Sequence, residues 1–300
     1  TYVPKYNVFV SFKIINPFYP DSLINIRMLL SHTSSIIDGS LYDKFLFSTV
    51  NDNPIPNLSE LVTKGGKYYT LDQFKNKNPG SYFNYSNLNY IILGTIIEKV
   101  SHQRFDIYCK KNIIEPLGLD ASFNVNDLKN ISKLAVIYRN KNNIWSPEVD
   151  NYKGIQPSFK NLSKYVIGSN GGRFGPQGGF RCSAEDLAKI FITIMNKGTY
   201  SNVRILSETS CDLMLADEWT YNGKNGDNYD GLFRSWGLGI HRVTSKSKND
   251  IVFSDSKLMY GHAGEAYGLV SDAYFDKREN IGVVFLTNGI GSGYKTNKVS

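Results

Sequence analysis

The sequence lacks several features that would place it in a special class of protein. Its longest apolar runs, residues 90–97 and 281–286, are far shorter than the roughly 20 residues that cross a bilayer. It contains no block of Lys or Arg, although 34 basic and 27 acidic residues give a net charge of +7. We therefore expect no membrane span and no nucleic-acid partner, and we interpret the charge as a solvated basic surface.

Cysteine and histidine are also scarce. Cys109, Cys182 and Cys211 are an odd number without paired spacing, which argues against a structural zinc site and against a full disulfide framework. The four histidines stand apart, at positions 32, 102, 241 and 262. We therefore expect free thiols, no metal site and no cofactor.

Apolar residues recur with a helical period in the first two thirds of the chain. The clearest predicted helix runs from Leu88 to Lys99, with Ser86 or Asn87 as its cap. Capping residues and helix breakers predict further helices after Asn25, near 71–76, over 105–114, after Ser183 and after Ser207. We expect His32, after the first of these helices, to stabilise a turn.

After Arg234 the pattern changes to that of β-strands. The predicted strands cover residues 236–243, 251–253, 267–275 and 281–287. Helices first and antiparallel strands last predict an α+β fold, with an antiparallel sheet flanked by helices. The simplest division is one domain over residues 1–300, in which 24–230 is mainly helix and loop and 231–290 forms the C-terminal strands.

The tripeptide Tyr85-Ser86-Asn87 is the first candidate for chemistry. A tyrosine just before a helix is usually a packing residue, but this one follows residues 79–83, which include a Pro-Gly pair, and opens the clearest buried helix. Asn87 would present an amide beside the tyrosine hydroxyl. This arrangement favours a substrate cleft.

The second candidate is the segment from Gly261 to Glu265, between two strand-like runs. Its two glycines and Ala263 would allow a substrate backbone to lie along the strand. The alternative is a plain turn, in which His262 is a packed or solvated side chain.

At this point the sequence resembles a known family. It carries five groups of segments in the order found in class C-like β-lactamases and related serine esterases and peptidases: Leu29–Ser35, Tyr85–Asn87 with Leu93–Glu98, Pro116–Leu119, Gly178–Gly179 with Ser183–Ala188, and Gly261–Gly264. The resemblance covers residues 24–290 and implies the β-lactamase and transpeptidase type of fold. It also implies a secreted or extracytoplasmic location, which the residues themselves leave open.

The resemblance implies hydrolysis of amide or ester bonds through an acyl-enzyme, on a β-lactam, a D-amino-acid peptide or a small ester. Tyr85 would be catalytic, as a base if positive charge lies beside it, and Asn87 would bind the substrate's amide. His262, Ala263 and Gly264 match the third motif, and the backbone amide of Glu265 would be an oxyanion donor. Because histidine replaces the lysine often found at 262, the local charge would depend on pH. We expect weaker recognition of carboxylate-bearing antibiotics.

The family's nucleophile motif, Ser-x-x-Lys at the start of a helix, has no convincing match. Ser11 and Lys13 have the wrong spacing, and the pairs 245/248 and 254/257 lie in polar connections. We expect the nucleophile upstream of Thr1, in a complementing N-terminal segment whose absence would expose apolar surface. One alternative is a non-catalytic relative that binds a peptide, glycan or protein. Another makes Ser34 or Ser86 a surrogate nucleophile.

Overall fold

A computed structural model gives the fold for residues 9–10, 12–158, 162–253 and 258–289. The α-helices in these ranges are α1 (Ile26–Leu30), α2 (Tyr42–Asn51), α3 (Ser59–Val62), α4 (Asn87–Ser101), α5 (Phe105–Cys109), α6 (Ala184–Met195) and α7 (Glu208–Leu215). The strands are β1 (Phe9–Val10), β2 (Phe12–Lys13), β3 (Ile137–Lys141), β4 (Ile144–Val149), β5 (Thr199–Tyr200), β6 (Val203–Arg204), β7 (Trp219–Thr220), β8 (Ser235–Trp236), β9 (His241–Val243), β10 (Met259–Ala266), β11 (Leu269–Asp276) and β12 (Ile281–Thr287). No helix in these ranges is both long enough and apolar enough to cross a membrane.

Six of the strands form one antiparallel sheet, in the order β12-β11-β10-β9-β8-β7. Helix α6 packs against β11 and β12, and the rings of Phe191 and Phe275 are 5.9 Å apart between them. The predicted α+β fold, an antiparallel sheet with flanking helices, is confirmed.

Helix α4 lies at the centre of the helical region. Leu88, Ile91 and Ile92 are fully buried on it, as its apolar period predicted. A 3₁₀ turn at Gly171–Phe174 lies against its middle. The approach is so close that a Cβ on Gly171 would come within 2.5 Å of the α4 backbone.

Three predicted helix starts are confirmed by hydrogen bonds to the backbone. The side chains of Asn25, Ser183 and Ser207 accept from the amides three residues further on. Ser86 holds the predicted N-cap position of α4, but its side chain does not cap the helix, because it accepts no bond from the first turn.

Several predicted boundaries are also wrong. Residues 236–243 form two strands and not one, because a turn separates β8 from β9. Residues 251–253 lie outside the strands. The segment 261–265, which was expected between two strands, lies within strand β10. Residues 71–76 form only a short 3₁₀ turn, and 105–114 divide into α5 and a π turn.

Several elements were missed altogether, among them helix α2 and the hairpin of β3 and β4. Leu41 holds the N-cap position of α2, where its side chain cannot cap the helix, so the usual start signal is absent from the sequence. None of the described side chains in the hairpin of β3 and β4 is buried, so it shows no alternation of buried and exposed residues.

Candidate active site

Tyr85 and His262, predicted from two distant segments, lie close together. Their ring centroids are 5.9 Å apart. The Tyr85 ring also lies 4.3 Å from that of His32 and 5.6 Å from that of Phe233. The start of α4, the loop after α1 and strand β10 therefore meet at one place.

The loop after α1, residues 31–38, holds the segment that carries Tyr85. We call it the cradle loop. The backbone amide of Asn84 donates to the His32 carbonyl at 2.8 Å, and that of Ser86 donates to His32 Nδ1 at 3.1 Å. His32 is buried and has a φ of 56° in the turn after α1, and its two bonds fix the backbone on either side of Tyr85.

Asp38, the last residue of the cradle loop, binds the start of α4 through its side chain. Its Oδ1 accepts from Ser86 Oγ and from the Leu88 amide, both at 2.9 Å. Its Oδ2 accepts from the Asn87 amide at 3.1 Å and from Asn87 Nδ2 at 2.8 Å. Asp38 thus supplies the cap that the sequence suggested for Ser86 or Asn87. It lies 50 residues from Leu88, beyond the reach of any local capping pattern.

Tyr85 keeps its proton in this environment. Burial, and next the charge of Asp38, raise the pKa of the phenol to about 12. In the described part of the chain no cation beside Tyr85 opposes this shift. The hydroxyl is therefore a hydrogen-bond donor at neutral pH, and a role as base would need positive charge from elsewhere.

His262 is neutral at pH 7. Burial lowers its pKa to about 4, the hydrogen bond to Ala263 opposes the shift, and His241 adds a smaller lowering effect. Its Nδ1–H donates to the Ala263 carbonyl, which leaves Nε2 as the acceptor end of the ring. Burial therefore moves the pH range in which residue 262 would gain charge from near neutrality to acid pH.

Strand β10 has a free edge next to His262. On one side it pairs with β11 along its whole length, for example His262 with Ala273 and Glu265 with Val270. On the other side β9 pairs only with Met259–Gly261. Among the described residues no strand pairs with that side of residues 262–266. Ala263, Gly264 and Glu265 therefore lie on the unpaired part of β10.

A buried polar cluster behind the site was not predicted. His241 Nδ1 lies 3.0 Å from Tyr274 Oη, and its Nε2 lies 3.3 Å from Asp250 Oδ1. The ring of His241 stacks on Trp236, whose ring lies 5.4 Å from that of His262. In the sequence, only the position of His241 within a strand-like run points to this polar cluster.

Neither surrogate serine is available as a nucleophile. Ser34 and Ser86 are fully buried, and their hydroxyls donate to Asn89 Oδ1 and Asp38 Oδ1. Residues 245–248 lie in bends and turns after β9 and not at the start of a helix. Ser11 and residues 254–257 lie outside the described residues.

A comparison with family models identifies the chain. A model described as "Beta-lactamase" matches residues 2–297. The chain belongs to the Beta-lactamase family. Two curated relatives of this Beta-lactamase chain are the N-acetylmuramyl-L-alanine amidase of Bacillus subtilis (strain 168), 27% identical over 75% of the chain and 51% of the relative, and a putative D-alanyl-D-alanine carboxypeptidase of Escherichia coli (strain K12), 28% identical over 66% and 44%. The chain thus spans about half the length of the curated relatives it matches.

Solved structures show the same fold. The octameric penicillin-binding protein homologue from Pyrococcus abyssi matches with a TM-score of 0.64 and 23% identity, over 98% of this chain and 58% of that one. The D-amino acid amidase from Ochrobactrum anthropi SV3 matches with a TM-score of 0.59 and 18% identity, over 92% and 74%. The architecture of this Beta-lactamase chain is therefore that of penicillin-binding proteins.

Proposed function

We propose that the protein is a serine hydrolase that cleaves amide or ester bonds through an acyl-enzyme. The observation that carries the proposal is the meeting of Tyr85 and His262 at the free edge of β10. Membership of the Beta-lactamase family and the names of its amidase and carboxypeptidase relatives support the reaction class. The nucleophilic serine and its lysine would come from a segment upstream of Thr1.

Each predicted site residue has a role in this proposal. A substrate backbone would pair with the free edge of β10 at Ala263 and Gly264, and the backbone amide of Glu265 would stabilise the oxyanion. Asn87 would bind the substrate's amide group. Tyr85 would pass the proton of the serine to the leaving group, with the family's lysine supplying the positive charge that lowers its pKa.

The reaction would proceed in two steps. The serine Oγ bonds to the carbonyl carbon, the bond to the amine or alcohol breaks, and the leaving group departs with the proton that Tyr85 passes on. Water then attacks the acyl-enzyme, which releases the acid and restores the serine. We infer that substrates without a carboxylate at the β10 site are preferred, because His262 is neutral there.

The test is covalent labelling of the full-length protein by a fluorophosphonate probe, located by peptide mass spectrometry. We expect one labelled serine, upstream of Thr1, and faster turnover of small esters than of cephalosporins at pH 7. Faster turnover of cephalosporins would contradict the inferred substrate preference. The absence of any labelled serine would contradict the proposed hydrolase.

The alternative is a non-catalytic relative that binds a peptide, glycan or protein in the retained cleft. The observation that favours it is that Ser34 and Ser86 are both buried and hydrogen-bonded. A full-length protein that binds a D-alanyl peptide in calorimetry, but forms no covalent adduct with the probe, would support it.

A further inference from the structure

Asn87 has one side-chain partner in the described part of the chain, and that partner is Asp38. An amide has a donor end and an acceptor end, whereas a carboxylate only accepts when ionised. Asp38 also receives the backbone amides of Asn87 and Leu88, which can only donate. The NH₂ group of Asn87 must therefore face Asp38, which leaves Oδ1 and the second N–H for other groups.

This bond goes beyond what a helix cap requires. The backbone bonds to Asn87 and Leu88 satisfy amides that every helix start leaves unpaired. The bond from Asn87 Nδ2 adds nothing to that function, but it stops the amide from rotating end for end. An amide fixed in advance binds its ligand with a smaller loss of conformational entropy.

We propose that Asp38 is the positioning residue of the site, acting through the side chain of Asn87. This inference rests on the proposed function, in which Asn87 binds the amide of an amide-bearing substrate. Asp38 itself would touch no substrate. It would matter for substrates that carry such an amide and not for those that lack one.

The experiment compares two esters with one leaving group, 4-nitrophenyl acetate and the 4-nitrophenyl ester of N-acetyl-D-alanine, on the full-length protein. Only the second offers an amide to Asn87. Asp38→Asn keeps the size of the side chain but gives Asn87 a partner with either polarity. We expect kcat/KM to fall about tenfold for the amide-bearing ester, the worth of one hydrogen bond, and less than about twofold for the acetate.

Two further variants separate positioning from stability. Asp72→Asn is the matched control, because Asp72 Oδ2 accepts from the Ser40 amide at 3.0 Å just beyond the cradle loop and lies outside the site. Asp72→Asn should leave kcat/KM unchanged for both esters. Asn87→Ala should lower kcat/KM only for the amide-bearing ester. Adding Asp38→Asn to Asn87→Ala should cause no further fall in kcat/KM.

The inference would be overturned if Asp38→Asn lowered kcat/KM equally for both esters. It would also be overturned if Asp38→Asn lowered kcat/KM for the amide-bearing ester as much in the Asn87→Ala background as in the wild type. Either result would leave the proposed function standing. If the wild-type protein hydrolyses neither ester, the proposed function fails and the inference with it. If Asp38→Asn does not fold, Asp38→Ser, whose hydroxyl can still accept one backbone amide, must show the same selective loss.

Discussion

Tyr85 and His262 face each other as two uncharged groups. Burial is the main cause for both, since it raises the pKa of the phenol to about 12 and lowers that of the imidazole to about 4. Removing water from either group disfavours its charged form. The contact thus offers a hydroxyl donor beside an imidazole acceptor over the whole neutral range.

The first residue-scale prediction concerns Tyr85→Phe. If the hydroxyl transfers a proton, kcat for ester hydrolysis should fall by about 10²- to 10⁴-fold, because phenylalanine keeps the ring but cannot hold the proton. Steady-state kinetics on the full-length protein measure this. Tyr138→Phe, at an exposed tyrosine, is the control, and equal activity of wild type and Tyr85→Phe would contradict the assigned role.

The second residue-scale prediction concerns acid stability. The pKa of His262 is 6.5 in the unfolded chain and about 4 in the fold, so the unfolded chain binds more protons between these values. The stability from the neutral ring is complete above pH 6.5 and is lost as the pH falls towards 4, by at most roughly 3 kcal/mol. Urea unfolding at pH 7.5 and 5 should show a smaller loss for His262→Gln than for wild type. His102→Gln, at an exposed histidine, is the control, and equal losses for wild type and His262→Gln would contradict the prediction.

The sequence predicted Tyr85, Asn87 and His262 because each lies in a short segment that resembles a family motif, and their role as a site stays a prediction. It could not find Asp38, whose partners lie about 50 residues away. It also could not give the protonation of His262, because an isolated histidine carries no sign of its burial. Contacts made only by folding set both properties.

At the scale of elements, the position of α4 depends on the close approach of a second backbone segment. Gly171 lies against the α4 backbone at Gly94 and Thr95, and its own amide donates to Thr95 Oγ1 at 2.9 Å. The 3₁₀ turn at Gly171–Phe174 therefore packs directly on α4, the helix that begins two residues after Tyr85.

Gly171→Ala should accordingly destabilise the protein by about 1–3 kcal/mol or more, because its Cβ would overlap the backbone of α4. Chemical denaturation measures the change. Gly178→Ala is the matched control, because a Cβ at that position meets nothing within 4 Å. Equal stabilities of the two variants would show that the turn moves away from α4 at little cost.

Prediction of the elements succeeded where local signals mark them. Asn25, Ser183 and Ser207 mark helix starts because the cap and its partner are three residues apart. It failed at β10, where Gly261 and Gly264 have low strand propensity and pairing with β11 decides the structure.

At the scale of the whole molecule, β12 is the outer strand of the six-stranded sheet in the described part of the chain. Ile281, Phe285 and Leu286 on it are 43%, 43% and 37% exposed. An exposed apolar edge strand is a template for pairing with another chain. We propose that another strand can pair with this edge.

The chain of residues 1–300, produced alone, should therefore self-associate. Phe285→Lys should shift it towards monomer, because charge on an edge strand opposes pairing. Sedimentation velocity measures the distribution. Val100→Lys, at a position on α4 that is 77% exposed, is the control. A wild-type chain that is already monomeric, or an equal shift in both variants, would contradict this prediction.

The indole of Trp236 donates to the carbonyl of Leu30 across 206 residues of sequence, and this contact joins β8 to the end of α1. Contacts of such sequence separation form slowly, because the intervening chain must first be ordered. The cleft between Tyr85 and β10 thus forms only when α1 and the six-stranded sheet have folded together. Hydrogen exchange at the amide of Ser86 should then require global unfolding, and a bound inhibitor should slow exchange in the helices and the sheet alike.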